Sequence, residues 1–150
     1  MRTATEFSVF LINQPGVLAA VTGALAKARI NVIALTLSDS GDHGVLRIIC
    51  DHPATAREVL GKTQDRWTES EVLVLEIENR PGVFASVAQK LADEHVNIGY
   101  AYCTGGAKGG RTTAVFKVND LIHASKALEA YRTADDKADR TVKPSPQRGR

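Results

Sequence analysis

Two short segments of this 150-residue chain carry groups suited to holding a small zwitterion: Asn13-Gln14-Pro15-Gly16-Val17-Leu18 and, 66 positions further on, Asn79-Arg80-Pro81-Gly82-Val83-Phe84. A Pro-Gly turn into a helix leaves the first backbone N–H groups without carbonyl partners. Those groups, with the positive end of the helix dipole, suit a carboxylate. Glycine lets a ligand approach the main chain closely, and an asparagine amide accepts from an ammonium or donates to a carboxylate. An amino acid supplies both charges. A second pair of asparagines, Asn31 before Val32 and Ile33 and Asn97 before Ile98, repeats at the same offset. A plainer reading stands beside this one: asparagine before Pro-Gly stabilises a turn, and asparagine after a helix is a common left-handed stop.

Other chemistry finds little support. The four histidines, His43, His52, His95 and His123, fall in a turn, a helix start, a helix end and an exposed helix, without convergent partners. No metal-ligand spacing and no Gly-x-Ser-x-Gly appears, so no catalytic residue, metal or cofactor is expected. The run Gly105 to Gly110 lacks the order of a phosphate loop and joins strand to strand, so it reads as a mobile hairpin turn. Arg80 has a neutral counterpart in Gln14 and reads as solvent-facing. Tyr100 and Tyr102, at period two, read as packing groups. Cys50 and Cys103 lie in apolar runs outside any Cys-x-x-Cys spacing and read as buried free thiols in a reducing compartment. With 19 Lys and Arg against 17 Asp and Glu, the net charge of +2 gives no electrostatic reason for a nucleic-acid or membrane partner. No leader-like segment opens the chain and no apolar run approaches the roughly 20 residues that span a bilayer, so a cytoplasmic location is expected.

The two motifs belong to a duplication. Phe7 to Asp39 aligned with Leu73 to Gly105, without a gap, gives nine identities in 33 positions. Period-two apolar residues mark strands at Phe7 to Ile12 and Val72 to Glu78, and stripes through Val17, Val21, Leu25 and through Val83, Val87, Leu91 mark helices that bury one side. Second and third strands follow at Val32 to Leu37 and Val45 to Cys50, and at Ile98 to Cys103 and Thr113 to Val118. Helices around Ala54 to Gly61 and Leu121 to Tyr131 come next, with a short strand near Trp67 in the first half only. The order is the ferredoxin-like βαββαβ of an α+β protein, with antiparallel sheets and helices on one face. Residues 1–70 and 71–133 read as two domains and 134–150 as a disordered tail, because Thr133 to Arg140 lacks alternating apolar residues. A short strand at Arg140 to Lys143 stays open. Without it the second repeat lacks its last strand, and its sheet edge must be covered by something else.

The paired Asn-x-Pro-Gly-Val motifs, each followed 18 residues after the first asparagine by Asn31-Val32 or Asn97-Ile98, resemble the ACT domain family over most of residues 5 to 131. The resemblance implies a non-catalytic regulatory module that binds an amino acid where two such domains meet, and a regulated enzyme as partner. A protein-interaction module without a small ligand is the alternative. One helix separates Asn13 from Asn31 by roughly 20 Å or more, so one ligand cannot touch both. If the second strands of the two repeats pair antiparallel, two crossed sites result. One joins Asn13 to Leu18 with Asn97 and Ile98; the other joins Asn79 to Phe84 with Asn31, Val32 and Ile33.

The face of the first repeat away from its helices carries Phe10, Ile12, Val45 and Ile49, where the second repeat has Glu76 and Glu78 on its first strand. An exposed apolar face of this kind marks a partner surface, so a homo-oligomer packed through the first-repeat sheet is expected.

Overall fold

The computed structural model describes residues 1–132, so the expected tail lies outside the described residues. Six strands and four helices follow the order β1 (Arg2–Ile12), α1 (Val17–Lys27), β2 (Val32–Ser40), β3 (His43–Cys50), α2 (Pro53–Thr63), β4 (Trp67–Glu78), α3 (Val83–Asp93), β5 (Ile98–Cys103), β6 (Arg111–Val118) and α4 (Leu121–Ala127), with a final 3-10 turn at Glu129–Tyr131. No helix among the described residues is long and apolar enough to cross a membrane.

All six strands join one antiparallel sheet in the order β2-β3-β1-β4-β6-β5. Its centre is the pairing of β1 with β4, in which Thr5 stands opposite Glu71, two residues related by the 66-residue repeat. The relation that superimposes the repeats therefore passes through that pair. Both central strands are long enough to serve twice. Residues Trp67 to Ser70 lie against Glu6 to Val9 and complete the first repeat. By the same relation Arg2 to Ala4 lie against Val72 to Val74 and complete the second. The fourth strand missing from the second repeat is thus supplied by the start of β1, and the boundary expected after residue 70 falls inside β4.

Each repeat has its own apolar core between sheet and helices. Phe7, Val9 and Leu11 pack with Val21, Leu25, Leu46, Ile48, Ala56 and Leu60 in the first. Leu73, Leu75 and Ile77 pack with Val87, Leu91, Phe116, Ala124 and Leu128 in the second, where Met1 also lies. A third core sits on the other face. Ala34 of β2, Ile49 of β3, Val72 and Val74 of β4 and Val115 of β6 form it, with Tyr102 of β5 packed alongside. In a flat sheet β3 and β5, four steps apart, would be separated by about 19 Å, yet the Arg47 guanidinium of β3 lies 4.1 Å from the Tyr100 ring centre of β5. The sheet bends at β1 and β4 until the helix-free faces of the two repeats meet.

Two expectations are corrected by this bend and this strand order. Ile49, assigned to an exposed oligomer face, is fully buried by the second repeat of its own chain, and Val45 is half-buried. Only Phe10 and Ile12, 41% and 57% exposed, remain as an apolar surface at the end of β1. The second strands do not pair within the chain either, because β2 and β5 form the two outer edges of the sheet.

Because the second repeat is completed by the start of β1 and the first by the opening residues of β4, a cut before Trp67 should leave neither part stable by itself. Fragments covering residues 1–66 and 67–132 should each lack cooperative thermal unfolding by circular dichroism, while the full chain melts in a single transition.

Candidate functional site

The Asn-x-Pro-Gly turns have the same backbone in both repeats. Gly16 and Gly82 are the N-cap residues of α1 and α3, each with φ 87°, and neither helix has a side-chain cap. That φ lies in the left-handed region, which glycine enters freely, and it explains why the residue recurs. Pro15 and Pro81 stand one position before the cap. By contrast α4 is capped by Asp120, whose carboxylate accepts from the His123 N–H at 2.9 Å. The first turns of α1 and α3 keep their N–H groups free of any such cap, which is the condition for receiving an anion.

The asparagine amides do part of the structural work that the plainer reading assigned them. Asn13 Nδ2 donates to the Gly41 carbonyl of the β2–β3 turn at 3.3 Å, and Asn79 Nδ2 donates to the Gly106 and Ala107 carbonyls at 2.8 and 3.2 Å. Backbone bonds reinforce the tie, from Asn13 N–H to Asp42 and from Asn79 N–H to Gly110, both to carbonyl oxygens. Each helix start and its neighbouring hairpin tip therefore form one unit, and the Gly-rich run 105–110 is fastened to Asn79.

At the far ends of α1 and α3 the left-handed residues are Arg29 and His95, with φ 59° and 55°, so Asn31 and Asn97 are not the helix stops. Their main chains instead pair reciprocally with the end of the third strand. Asn31 N–H donates to Asp51 Oδ1 and Asn97 N–H to Asn119 Oδ1, each at 3.0 Å, while the N–H groups of Asp51 and Asn119 donate back to the asparagine carbonyls. Hydrogen bonding from His52 holds the exposed Asp51 carboxyl below its ordinary range.

The crossed combinations do not form inside one chain. Ile98 pairs with Val118, which lies level with Thr5, whereas Asn13 is eight residues further along β1, about 27 Å in the strand direction. Likewise Val32 pairs with Cys50, which lies level with Thr5 and Glu71, whereas Asn79 is eight residues beyond Glu71, about 27 Å in the strand direction. What the first repeat does hold is a cavity of about 230 Å³ between the start of α1 and the β2 edge, lined by Asn13, Gln14, Val17, Leu18, Leu37 and Asp39 among others. In the second repeat, Arg80, Pro81, Gly82 and Val83 face a larger opening of about 510 Å³ along the Glu76 to Glu78 edge. That opening is on the other flank of its helix, where Arg80 is already paired with Glu78.

Sequence reasoning missed Glu6. It is fully buried on the helix-free face of β1 and accepts hydrogen bonds from two phenols of β5, Tyr100 at Oε1 and Tyr102 at Oε2, the latter at 2.6 Å. Burial and the adjacent carboxylate both push the Tyr100 and Tyr102 phenols above the ordinary range. Alternation along β1 was the available signal, since it put one acid on the same face as Phe10 and Ile12, which the sequence left uncovered. Cys103 is a correction as well: it is exposed at the end of β5, while Cys50 is buried and its thiol is pushed up to about 11, chiefly by desolvation. No group of three or more potential metal ligands occurs among the described residues.

A bent six-stranded sheet with two ferredoxin-like halves and two uncapped glycine-led helix starts defines a paired domain rather than two independent modules. The ACT domain pair model matches residues 2–136, and the chain belongs to that family. Among solved structures, protein BT0572 from Bacteroides thetaiotaomicron shares 30% identity over 85% of this chain and 88% of its own, with a TM-score of 0.78. The ligand-free regulatory subunit of aspartate kinase from Thermus thermophilus has the same fold at 17% identity, with a TM-score of 0.64 over 89% of this chain and 95% of that one. A comparison with curated proteins returns no match.

Two measurements check this geometry. Tyr102→Phe should leave one Glu6 oxygen unpaired inside the protein and destabilise it by about 1–3 kcal/mol in denaturant unfolding. Because both phenols are raised in the folded state, their contribution is intact below about pH 10 and is lost as pH rises through the folded values. An absorbance titration should accordingly find two of the three tyrosines ionising only together with alkaline unfolding. For the thiols, a disulfide reagent should titrate Cys103 in the native protein and reach Cys50 only after denaturation.

Proposed function

We propose that this chain is a regulatory subunit or sensor with no reaction of its own, which binds an amino acid at sites completed between two copies and signals by altered association with an enzyme partner. The observation that carries this reading is the coincidence, in both repeats, of an uncapped helix start led by a left-handed glycine with a free sheet edge nearby. Carboxylate at the helix start and ammonium at an asparagine oxygen is the pairing those groups favour. The likeness in fold to the regulatory subunit of aspartate kinase from Thermus thermophilus supports such a role.

The bend brings Tyr102 of β5 against the third core beside Ile33 and Ala34 of β2, so both free edges open on the same side of the molecule. A two-fold dimer can then pair β2 of each chain with β5 of the other. That arrangement unites Asn13 to Leu18 with Asn97 and Ile98 of the partner subunit, and Asn79 to Phe84 with Asn31 to Ile33 of the partner subunit. Ligand that bridges two chains favours the dimer by mass action, and this coupling is how occupancy becomes a signal. The competing reading, a protein-contact module, draws on the hairpin carbonyls that already engage the Asn13 and Asn79 amides.

The test is complementation. Asn13→Ala and Asn97→Ala should each remove calorimetric binding of the responding amino acid at the Asn13 site, although they lie in different repeats. Mixing the two variants should restore binding in heterodimers, where one site carries both substitutions and the other carries neither. Unchanged binding by both variants would remove the crossed site. A failure of all twenty amino acids to shift the melting temperature would favour the protein-contact module.

A further inference from the structure

The two helix starts share a backbone but not a side-chain environment, and the difference is concentrated at four matched positions. Leu18 corresponds to Phe84, Leu37 to Cys103 and Asp39 to Gly105 at the 66-residue offset, and Gly44 to Thr112 at the 68-residue offset that holds from the third strands onward. In the first repeat these residues border the cavity of about 230 Å³, with Leu11 and Val17 completing its apolar wall. Gly44 keeps the floor open, since an added Cβ would come within 3.3 Å of Leu37 Cδ1 and of the Ser38 carbonyl. In the second repeat Phe84 and Thr112 bring larger groups to two of these positions. The Phe84 ring stacks on Phe116 with centroids 5.1 Å apart, and the buried Thr112 hydroxyl donates to the Thr104 carbonyl. The acid at the rim is replaced by Gly105.

From this contrast we infer that only the first-repeat cavity accepts a ligand side chain, and that it selects an aliphatic amino acid, giving one occupied site per chain. The inference rests on the amino-acid reading above and narrows it. A volume below the ~300–1,000 Å³ of drug-sized sites limits the occupant to about one amino acid. Leu11, Val17, Leu18 and Leu37 favour an aliphatic side chain, because a charged one would lose its hydration there without gaining a partner. Asp39 is positioned for the ammonium and the uncapped first turn of α1 for the carboxylate. The larger opening beside α3 is a poor alternative, as its Arg80 and Arg132 are paired with Glu78 and Glu129.

Calorimetric titration of the full chain with each of the twenty amino acids provides the test. Leucine, isoleucine or valine should bind at a stoichiometry of one per chain, while lysine, arginine, aspartate and glutamate should not. Leu37→Glu alters an exposed edge residue that the fold does not need, and it should weaken binding about tenfold or more. Leu18→Phe, which copies the second repeat, should do the same with the melting transition retained. Cys103→Glu, at the matching exposed position of the second repeat, should leave affinity and stoichiometry unchanged. Two sites per chain, preference for a charged amino acid, or loss of binding in Cys103→Glu but not in Leu37→Glu would overturn this inference and leave amino-acid binding standing. No binding by any amino acid would overturn both.

Discussion

The antiparallel pairing of β1 with β4 constrains nearly everything else in the molecule. A ferredoxin-like half needs a fourth strand to cover the inner edge of its sheet, and an uncovered edge invites unwanted pairing. Here the first half is covered by the opening of β4 and the second by the opening of β1, through two strands of 11 and 12 residues paired about Thr5 and Glu71. Sharing strands makes the two repeats one cooperative body. It also turns the remaining edges, β2 and β5, outward, leaving the helix starts beside edges with no partner strand in the chain.

The bend that closes the helix-free faces on one another is specified by a polar knot as well as by apolar burial. Ala34, Ile49, Val72, Val74 and Val115 supply non-directional attraction, which by itself fixes no unique angle between the halves. Glu6 adds direction. A fully buried carboxylate is costly unless its oxygens are bonded, and the two phenols of β5 meet that need in one relative placement of the repeats. Arg47 stacked over Tyr100 extends the same contact to β3.

The duplication has been kept where the backbone demands it and relaxed where side chains border the cavity beside α1 or meet a neighbour. Gly16 and Gly82 share one φ because the turn into the helix requires a left-handed residue, and Arg29 and His95 share another although their side chains are unrelated. Positions 18 and 84, 37 and 103, and 44 and 112 differ freely in size and polarity, because strand and helix geometry set no demand on them. A single scaffold thereby presents two different sets of side chains at the same corner.

Periodicity and the internal repeat were enough to read the order of elements, the ferredoxin-like class, the two glycine-led helix starts and the family, since these depend on spacing and local backbone preference. Residue spacing also showed no alternating apolar residues at Thr133 to Arg140, where a fourth strand of the second repeat was expected. What supplied it was out of reach, because strand exchange between β1 and β4 depends on register across the sheet, and no local pattern encodes a partner 66 residues away. For the same reason Phe10, Ile12, Val45 and Ile49 looked like one exposed surface, when folding the sheet over hides Ile49 and leaves Phe10 and Ile12 outside. Glu6 lies just before the first strand marked by period-two residues, at Phe7, and only the meeting of two distant faces gave it phenolic partners. Sequence determined the parts and their local chemistry; long-range strand pairing and the bend decided which of those parts touch.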